Sequence, residues 1–193
     1  EEMIEALAWA KKTGRARFTG ISSHDRPHIK KWIQAAPKEL EVVVTPYTAK
    51  TKMTGAKVEM EAEGDAANVQ KIEGGGWENS LWYAMRQSDV AWFGIKPFTS
   101  GSLFKGDSSP GNPHQEEDDR LARNTIRAIL TNPVITAPIP GIITAEQVDN
   151  VAKAVLLRRA LDEKEQAELD AATDRAFANL PYHYRWLNDW NTV

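Results

Sequence analysis

Apolar positions along this chain follow two rhythms, one of helices and one of strands, and the two alternate. Met3, Ile4, Leu7 and Ala8 recur at helical spacing, and Lys11-Lys12-Thr13-Gly14 supplies a basic last turn with a glycine stop, so the chain opens on a helix. Arg17-Phe18-Thr19-Gly20-Ile21 reads as a short strand and Ser22-Ser23-His24-Asp25 as a polar turn. Pro27 suits the first turn of a helix running to about Ala36. Glu41-Val42-Val43-Val44-Thr45-Pro46 is a β-branched run of the kind buried on both faces in parallel sheets. Residues 77–87 are amphipathic, with Leu81, Tyr83 and Met85 as packing candidates. Val90-Ala91-Trp92-Phe93-Gly94-Ile95 and Val134-Ile135-Thr136-Ala137 are two more strands, the second ending in a Pro138-Ile139-Pro140-Gly141 turn. Helices are predicted at about 116–130, 144–157 and 163–178.

The resulting order is a helix followed by four strand–helix units. Strands alternating with helices imply an α/β fold with a parallel sheet and right-handed crossovers. Ligands of such sheets lie beyond the C-terminal strand ends. Chemistry is therefore expected in the loops that begin at Ser22, Pro46, Lys96 and Pro138.

Composition narrows this picture. With 24 Lys plus Arg against 27 Asp plus Glu, the formal charge of −3 argues against broad nucleic-acid binding. The absence of cysteine excludes disulfides, thiolate metal sites and cysteine nucleophiles. No apolar run approaches the ~18–20 residues of a membrane span; a soluble protein is expected, cytoplasmic unless an upstream export signal directs it elsewhere. The 193 residues suit one domain, but they fall short of the ~250 of a complete eight-stranded α/β barrel.

Each loop supports more than one reading. In the first, Ser22, Ser23 and His24 could hold a polar ligand, or Ser23 or Asp25 could simply cap the next helix. His24, Asp25 and His28 lack a third strong ligand on a rigid face, so no metal is expected. In the second, Tyr47 is either a substrate-pocket wall or packing. In the third, Lys96-Pro97-Phe98-Thr99-Ser100-Gly101-Ser102-Leu103 combines a ring, hydroxyls and a glycine, suited to a phosphate and a stacked heteroaromatic ring. Lys96 could equally be a snorkelling lysine beside an ordinary loop. In the fourth, Gly141 permits a tight turn, and Thr144 with Gln147 makes a capping box. The acidic run Glu116-Glu117-Asp118-Asp119 complements a helix dipole. Of the seven tryptophans, Trp186 and Trp190 in the tail are candidates for a pocket wall or lid.

These strand-end motifs, in this order, resemble the aldo-keto reductases. Gly14-Arg15-Ala16-Arg17-Phe18-Thr19-Gly20-Ile21-Ser22 is similar to that family's Gly-Lys-Ile-Arg-Tyr-Ile-Gly-Val-Ser element at the fifth barrel strand. Pro46-Tyr47 resembles the sixth-strand region, and Lys96-Pro97-Phe98 through Leu103 the seventh-strand loop. Asn132-Pro133-Val134 through Gly141, with Glu146-Gln147-Val148-Asp149-Asn150, resembles the eighth. The resemblance spans residues 1 to about 157, and the tail from Leu180 to Trp190 resembles a bacterial branch of the family. It implies half of a TIM barrel at 1–157, with an insertion at about 48–76, and a C-terminal helix and aromatic tail at 158–193 packing on the same domain.

By resemblance, the function is that of the cofactor-binding half of an NAD(P)(H)-dependent oxidoreductase acting on carbonyl or alcohol substrates. Ser22 and Ser23 would lie near the nicotinamide carboxamide. Phe98, after Pro97, would stack on its ring, with Thr99, Gly101, Ser102 and Leu103 along the pyrophosphate. Gly141, Thr144, Gln147 and Asn150 would surround the adenosine. The chain departs from the pattern at Ser23 (usually Asn) and at Val44 (usually Gln). It departs again at Gln147 or Thr144 (usually basic), and the family's adenine asparagine is either displaced to Asn150 or replaced by Val151. NAD and NADP both stay open. The family's catalytic Asp, Tyr, Lys and His would precede residue 1, and Tyr47 and Lys96 sit on the wrong strands to replace them.

A half-barrel would expose two parallel edges, so a homodimer, or pairing with a missing N-terminal half, is expected. A small-molecule carbonyl substrate is the other expected partner; neither nucleic acid nor membrane is. The alternatives are a non-catalytic binding or scaffold protein, and a repurposed hydrolase using His24 and Asp25.

Overall fold

The computed structural model describes residues 2–50, 81–107, 109, 111–132, 134–157 and 160–191, without the side chains of 26, 82, 83, 86 and 189–191. The insertion expected at 48–76 therefore lies outside the described residues beyond Lys50, as do the start of the helix expected at 77–87 and the side chains of Tyr83 and Trp190.

The elements run α1 (Glu2–Lys12), β1 (Gly20–Ser22), α2 (Arg26–Ala35), β2 (Val42–Pro46), α3 (Leu81–Gln87), β3 (Ala91–Ile95), α4 (Gln115–Leu130), β4 (Ile135–Ile139), α5 (Ala145–Leu157) and α6 (Glu163–Ala178). Short 3-10 segments span Thr99–Gly101 and Tyr182–Asn191. The strands are parallel and hydrogen-bonded in the order β1-β2-β3-β4, with Gly20 opposite Val42 and Ser22 opposite Val44. This is the α/β arrangement expected from the alternating pattern. No described helix is long and apolar enough to cross a membrane.

Two boundaries differ from the sequence expectation. β1 begins at Gly20, where pairing with Val42 starts, rather than at Arg17; Phe18 before it is 62% exposed. β4 runs through Pro138 to Ile139, where a turn was expected. Proline lacks a ladder donor and is tolerated in an outer strand, and β4 is the last of the four described strands.

The described residues fall into two compact units, one of 2–45 and 81–93, the other of 46–50 and 94–191. In the first, Asp25 caps α2 by accepting the His28 N–H at 2.9 Å, and Pro27 occupies the first turn. The amphipathic face of α2 then buries Ile29 and Ile33, and α2 packs against α3, which contributes Leu81 and Met85. Glu41 accepts the Thr19 N–H at 3.2 Å and pairs with Lys11 at 2.7 Å.

In the second unit, α4 packs against α5, α6 and β4. Its inward face, with Phe98, Leu103, Ala154 and Leu169, forms the core around Leu121 and Ile126. Arg127, 3% exposed, forks onto Glu165 with both contacts at 2.8 Å and donates to the Ala160 carbonyl at 2.8 Å. Glu165 also closes the capping box of α6 with Asp162. Phe177, Leu180 and Leu187 make a smaller cluster against which Tyr184 and Trp186 pack.

Candidate functional site

A cleft of about 950 Å³ opens in the second unit at the C-terminal ends of β3 and β4. This is the end at which parallel α/β sheets bind ligands, and the volume is that of a small-molecule or cofactor site. One wall is the β3–α4 loop with the first turns of α4; the other is the β4–α5 loop with the start of α5, and Tyr184 of the tail also lines the cleft.

The β3–α4 loop reaches its shape through an unusual backbone. Lys96, Thr99 and Ser100 have φ of 62°, 53° and 56°, left-handed values that glycine adopts freely and a β-branched threonine rarely does. Such conformations cost ~1–3 kcal/mol each and collect at functional sites. They wind the Thr99–Gly101 turn, closed by Thr99 N–H to the Lys96 carbonyl at 2.9 Å and Gly101 N–H to the Phe98 carbonyl at 2.9 Å. The Ser100 hydroxyl oxygen is buried with no hydrogen-bond partner, although Ser100 lines the cleft. The Phe98 ring rests on Phe104, centroids 5.0 Å apart.

Asp118 holds the outer part of this loop. It is 9% exposed, and its carboxylate accepts the Lys105 and Gly106 N–H groups at 2.9 Å each and the Asn112 amide at 3.3 Å. Glu117 beside it pairs with the Lys105 ammonium at 2.7 Å. The acidic run thus does more than complement a helix dipole: Asp118 clamps a wall of the cleft.

The opposite wall is self-capped. Thr144 accepts the Gln147 N–H at 3.3 Å, and the Gln147 side-chain oxygen accepts the Ile143 N–H at 2.8 Å and the Thr144 N–H at 3.4 Å. The Glu146 carboxyl is held below its ordinary value by its own backbone N–H and then by the Thr144 hydroxyl. Asn150 is 5% exposed. Its amide is committed to α4, donating to the Asp119 carbonyl at 2.9 Å and accepting from the Arg123 guanidinium.

Seven of the residues named from sequence line this cleft together: Pro97, Phe98, Gly101, Gly141, Thr144, Gln147 and Asn150. Thr99 and Leu103 are 1% exposed and lie beneath the loop. Ser102 is half-buried, its N–H on the Thr99 carbonyl at 3.1 Å. Ser22, Ser23 and His24 belong to the first unit and are not among the lining residues. Ser23 accepts the Asp25 N–H at 3.0 Å, and Asp25 caps α2. Tyr47 takes its packing reading. It is fully buried, its hydroxyl accepts from the Asn132 amide at 2.7 Å, and it does not line the cleft. Trp186 packs on the tail cluster; Tyr184 lines the cleft in its place, with the Lys96 ammonium 5.3 Å from its ring centroid. Sequence reasoning missed Tyr184, Asp118 and Asp119. The only signal for Tyr184 was the aromatic density of the tail.

No protein-family model matches the chain, and no curated protein matches it by sequence. Among solved structures, an aldo-keto reductase from Bacillus halodurans in its apo form matches 95% of this chain, with a TM-score of 0.54 and 17% identity. The likeness is one of fold: four parallel strands alternating with helices, as in part of that TIM-barrel protein. The chain spans only 59% of that relative's length, as four of a barrel's eight strand–helix units would.

The cleft lining offers a ligand both backbone and side-chain surface. Positions 101 and 141 present bare backbone, with nothing within 4 Å of where a Cβ would stand, so a ligand can approach closely there. The orphaned Ser100 hydroxyl offers a hydrogen bond, and Phe98 with Tyr184 supplies ring surface.

Proposed function

We propose that this chain holds a nicotinamide dinucleotide as the cofactor-binding half of an oxidoreductase acting on carbonyl or alcohol substrates. The observation that carries the reading is the cleft at the ends of β3 and β4, with its open Gly101 and Gly141, its unsatisfied Ser100 hydroxyl and its Phe98 ring, in an aldo-keto reductase fold. When bound, the nicotinamide supplies hydride chemistry. The chain's own residues bind and orient: the turned backbone at Thr99–Gly101 presents the loop's polar groups, Asp118 fixes the outer wall, and Phe98, Phe104 and Tyr184 exclude water.

Titration of the chain with NADH, followed by nicotinamide fluorescence, tests this. Saturable binding is expected, and binding of neither NADH nor NADPH overturns it. A carbonyl-reductase assay on the bound form separates two versions: turnover marks a complete enzyme, and binding without turnover marks a nucleotide-holding module.

The reading includes a partner, a second copy or an N-terminal half of the barrel. Met3, Trp9 and Phe18 are 55%, 53% and 62% exposed in the first unit, and Ile143 is 77% exposed in the second, which favours coverage by another surface. Sedimentation should show a species heavier than one chain at micromolar concentration; a stable monomer throughout that range rejects the homodimer.

A further inference from the structure

We propose that the outer face of α5 is where a second copy of this chain docks, as an antiparallel helix pair about a two-fold axis at Ala152. This rests on the second-copy version of the partner reading above and is independent of the nucleotide. Ala145, Val148, Ala152 and Leu156 are spaced three and four residues apart, so they share one face of α5. All four are exposed, Val148 by 50% and Leu156 by 82%. The opposite face is already used: Asn150 and Ala154 are 5% and 0% exposed, and α5 packs against α4. A helix that is apolar on both faces is ordinarily covered on both, and an apolar line along a helix differs from side chains exposed singly. None of the four is among the cleft-lining residues, so a ligand there leaves them uncovered.

The charges beside the stripe identify the occupant as a copy. Asp149 and Lys153 are both exposed and flank the stripe on one side, one acid and one base, on opposite sides of Ala152 along the helix. Across a two-fold axis the same patch faces itself, and in an antiparallel pair its order is reversed. With the axis at Ala152, Val148 lies against Leu156 of the other copy at both ends of the contact. The small Ala152 meets itself, where a short side chain lets two helices approach. At a rise of ~1.5 Å per residue, Asp149 then falls about 3 Å along the axis from Lys153 of the other copy. That is within reach of an ion pair, and the symmetry forms the pair twice. A parallel pairing would instead set acid against acid and base against base, and would align the two helix dipoles unfavourably.

The chain contains no cysteine, so Ala152→Cys places a single thiol at the axis. Mild oxidation at micromolar concentration is expected to link two such chains, and to link Lys164→Cys, exposed on α6, far more slowly. Equal rates for the two overturn the surface. Sedimentation equilibrium supplies the second readout. Asp149→Lys and Lys153→Asp should each weaken the dimer about tenfold or more, because each turns two attractions into repulsions. An equimolar mixture of the two variants should recover the affinity, since every reversed charge then meets its opposite. Loss of helix stability cannot produce that recovery. A dimer indifferent to both substitutions, or a mixture no tighter than either variant alone, overturns this surface and leaves a second copy docked elsewhere. A monomer throughout the micromolar range, as expected if an N-terminal half of a barrel covers the face instead, overturns both. NADH titration reads the nucleotide proposal separately in every case.

Discussion

Replacing Asp118 with alanine removes the acceptor of two backbone N–H groups, those of Lys105 and Gly106 at 2.9 Å, and of the Asn112 amide at 3.3 Å. Hydrogen bonds to a charged acceptor contribute ~1.5–3 kcal/mol each, and a buried donor left unpaired incurs its full desolvation penalty. The loop is only partly buried, so water can recover some of this. The two short bonds then set a destabilisation of about 2–4 kcal/mol. Asp118→Asn should fall between, because one amide oxygen can serve one N–H while its NH₂ faces the other donor.

Urea denaturation with linear extrapolation reads the global loss, and amide exchange at Lys105 and Gly106 reads local opening. Because the loop is a wall of the cleft, NADH affinity should fall in parallel. An alanine variant that loses less than about 0.5 kcal/mol, with both amides still protected, refutes the clamp.

Further outcomes follow from the same packing. Glu165→Ala removes the carboxylate partner of the buried Arg127 guanidinium and opens the α6 capping box, so a loss of about 3–5 kcal/mol is expected by chemical denaturation. Gly94→Ala would place a Cβ 2.7 Å from the Tyr47 Cβ, costing about 1–3 kcal/mol and lowering the thermal midpoint. Glu168, held below its ordinary carboxyl value of 4.5 chiefly by its hydrogen bond to Arg120, stabilises the fold above that pH. Its contribution is lost as pH falls below 4.5, so thermal melts in acid should show a weaker pH slope for Glu168→Gln than for the parent.

Several features of the site were legible because they are local. The Asp25 cap and the Thr144–Gln147 box each join groups three residues apart, a distance the chain cannot escape once the helix forms. The strand–loop order placed Phe98, Gly101 and Gly141 at strand ends, and the cleft lies there. Other features were not legible. Nothing in Glu116-Glu117-Asp118-Asp119 says that the third acid is buried while Glu117 and Asp119 are half-buried and Glu116 is exposed. Nothing in Tyr182–Asn191 says that Tyr184 lines the cleft and Trp186 does not. The left-handed turn at Thr99 and Ser100 opposes the intrinsic preference of both residues, so only the surrounding packing can impose it.

By itself, the sequence determined the alternation of elements, the strand ends at which a ligand must be sought, and the caps that start α2 and α5. Those depend on period and on hydrogen bonds spanning a few residues, which every fold of this chain would share. Tertiary structure decided which polar groups find one another across the chain. Asn132 meets Tyr47 and Arg127 meets Glu165, Asp118 takes the loop amides, and among its described lining residues the cleft sets one lysine against four carboxylates. Each such partner is selected because a buried polar group must be satisfied where packing happens to bring it, and no local pattern records that choice.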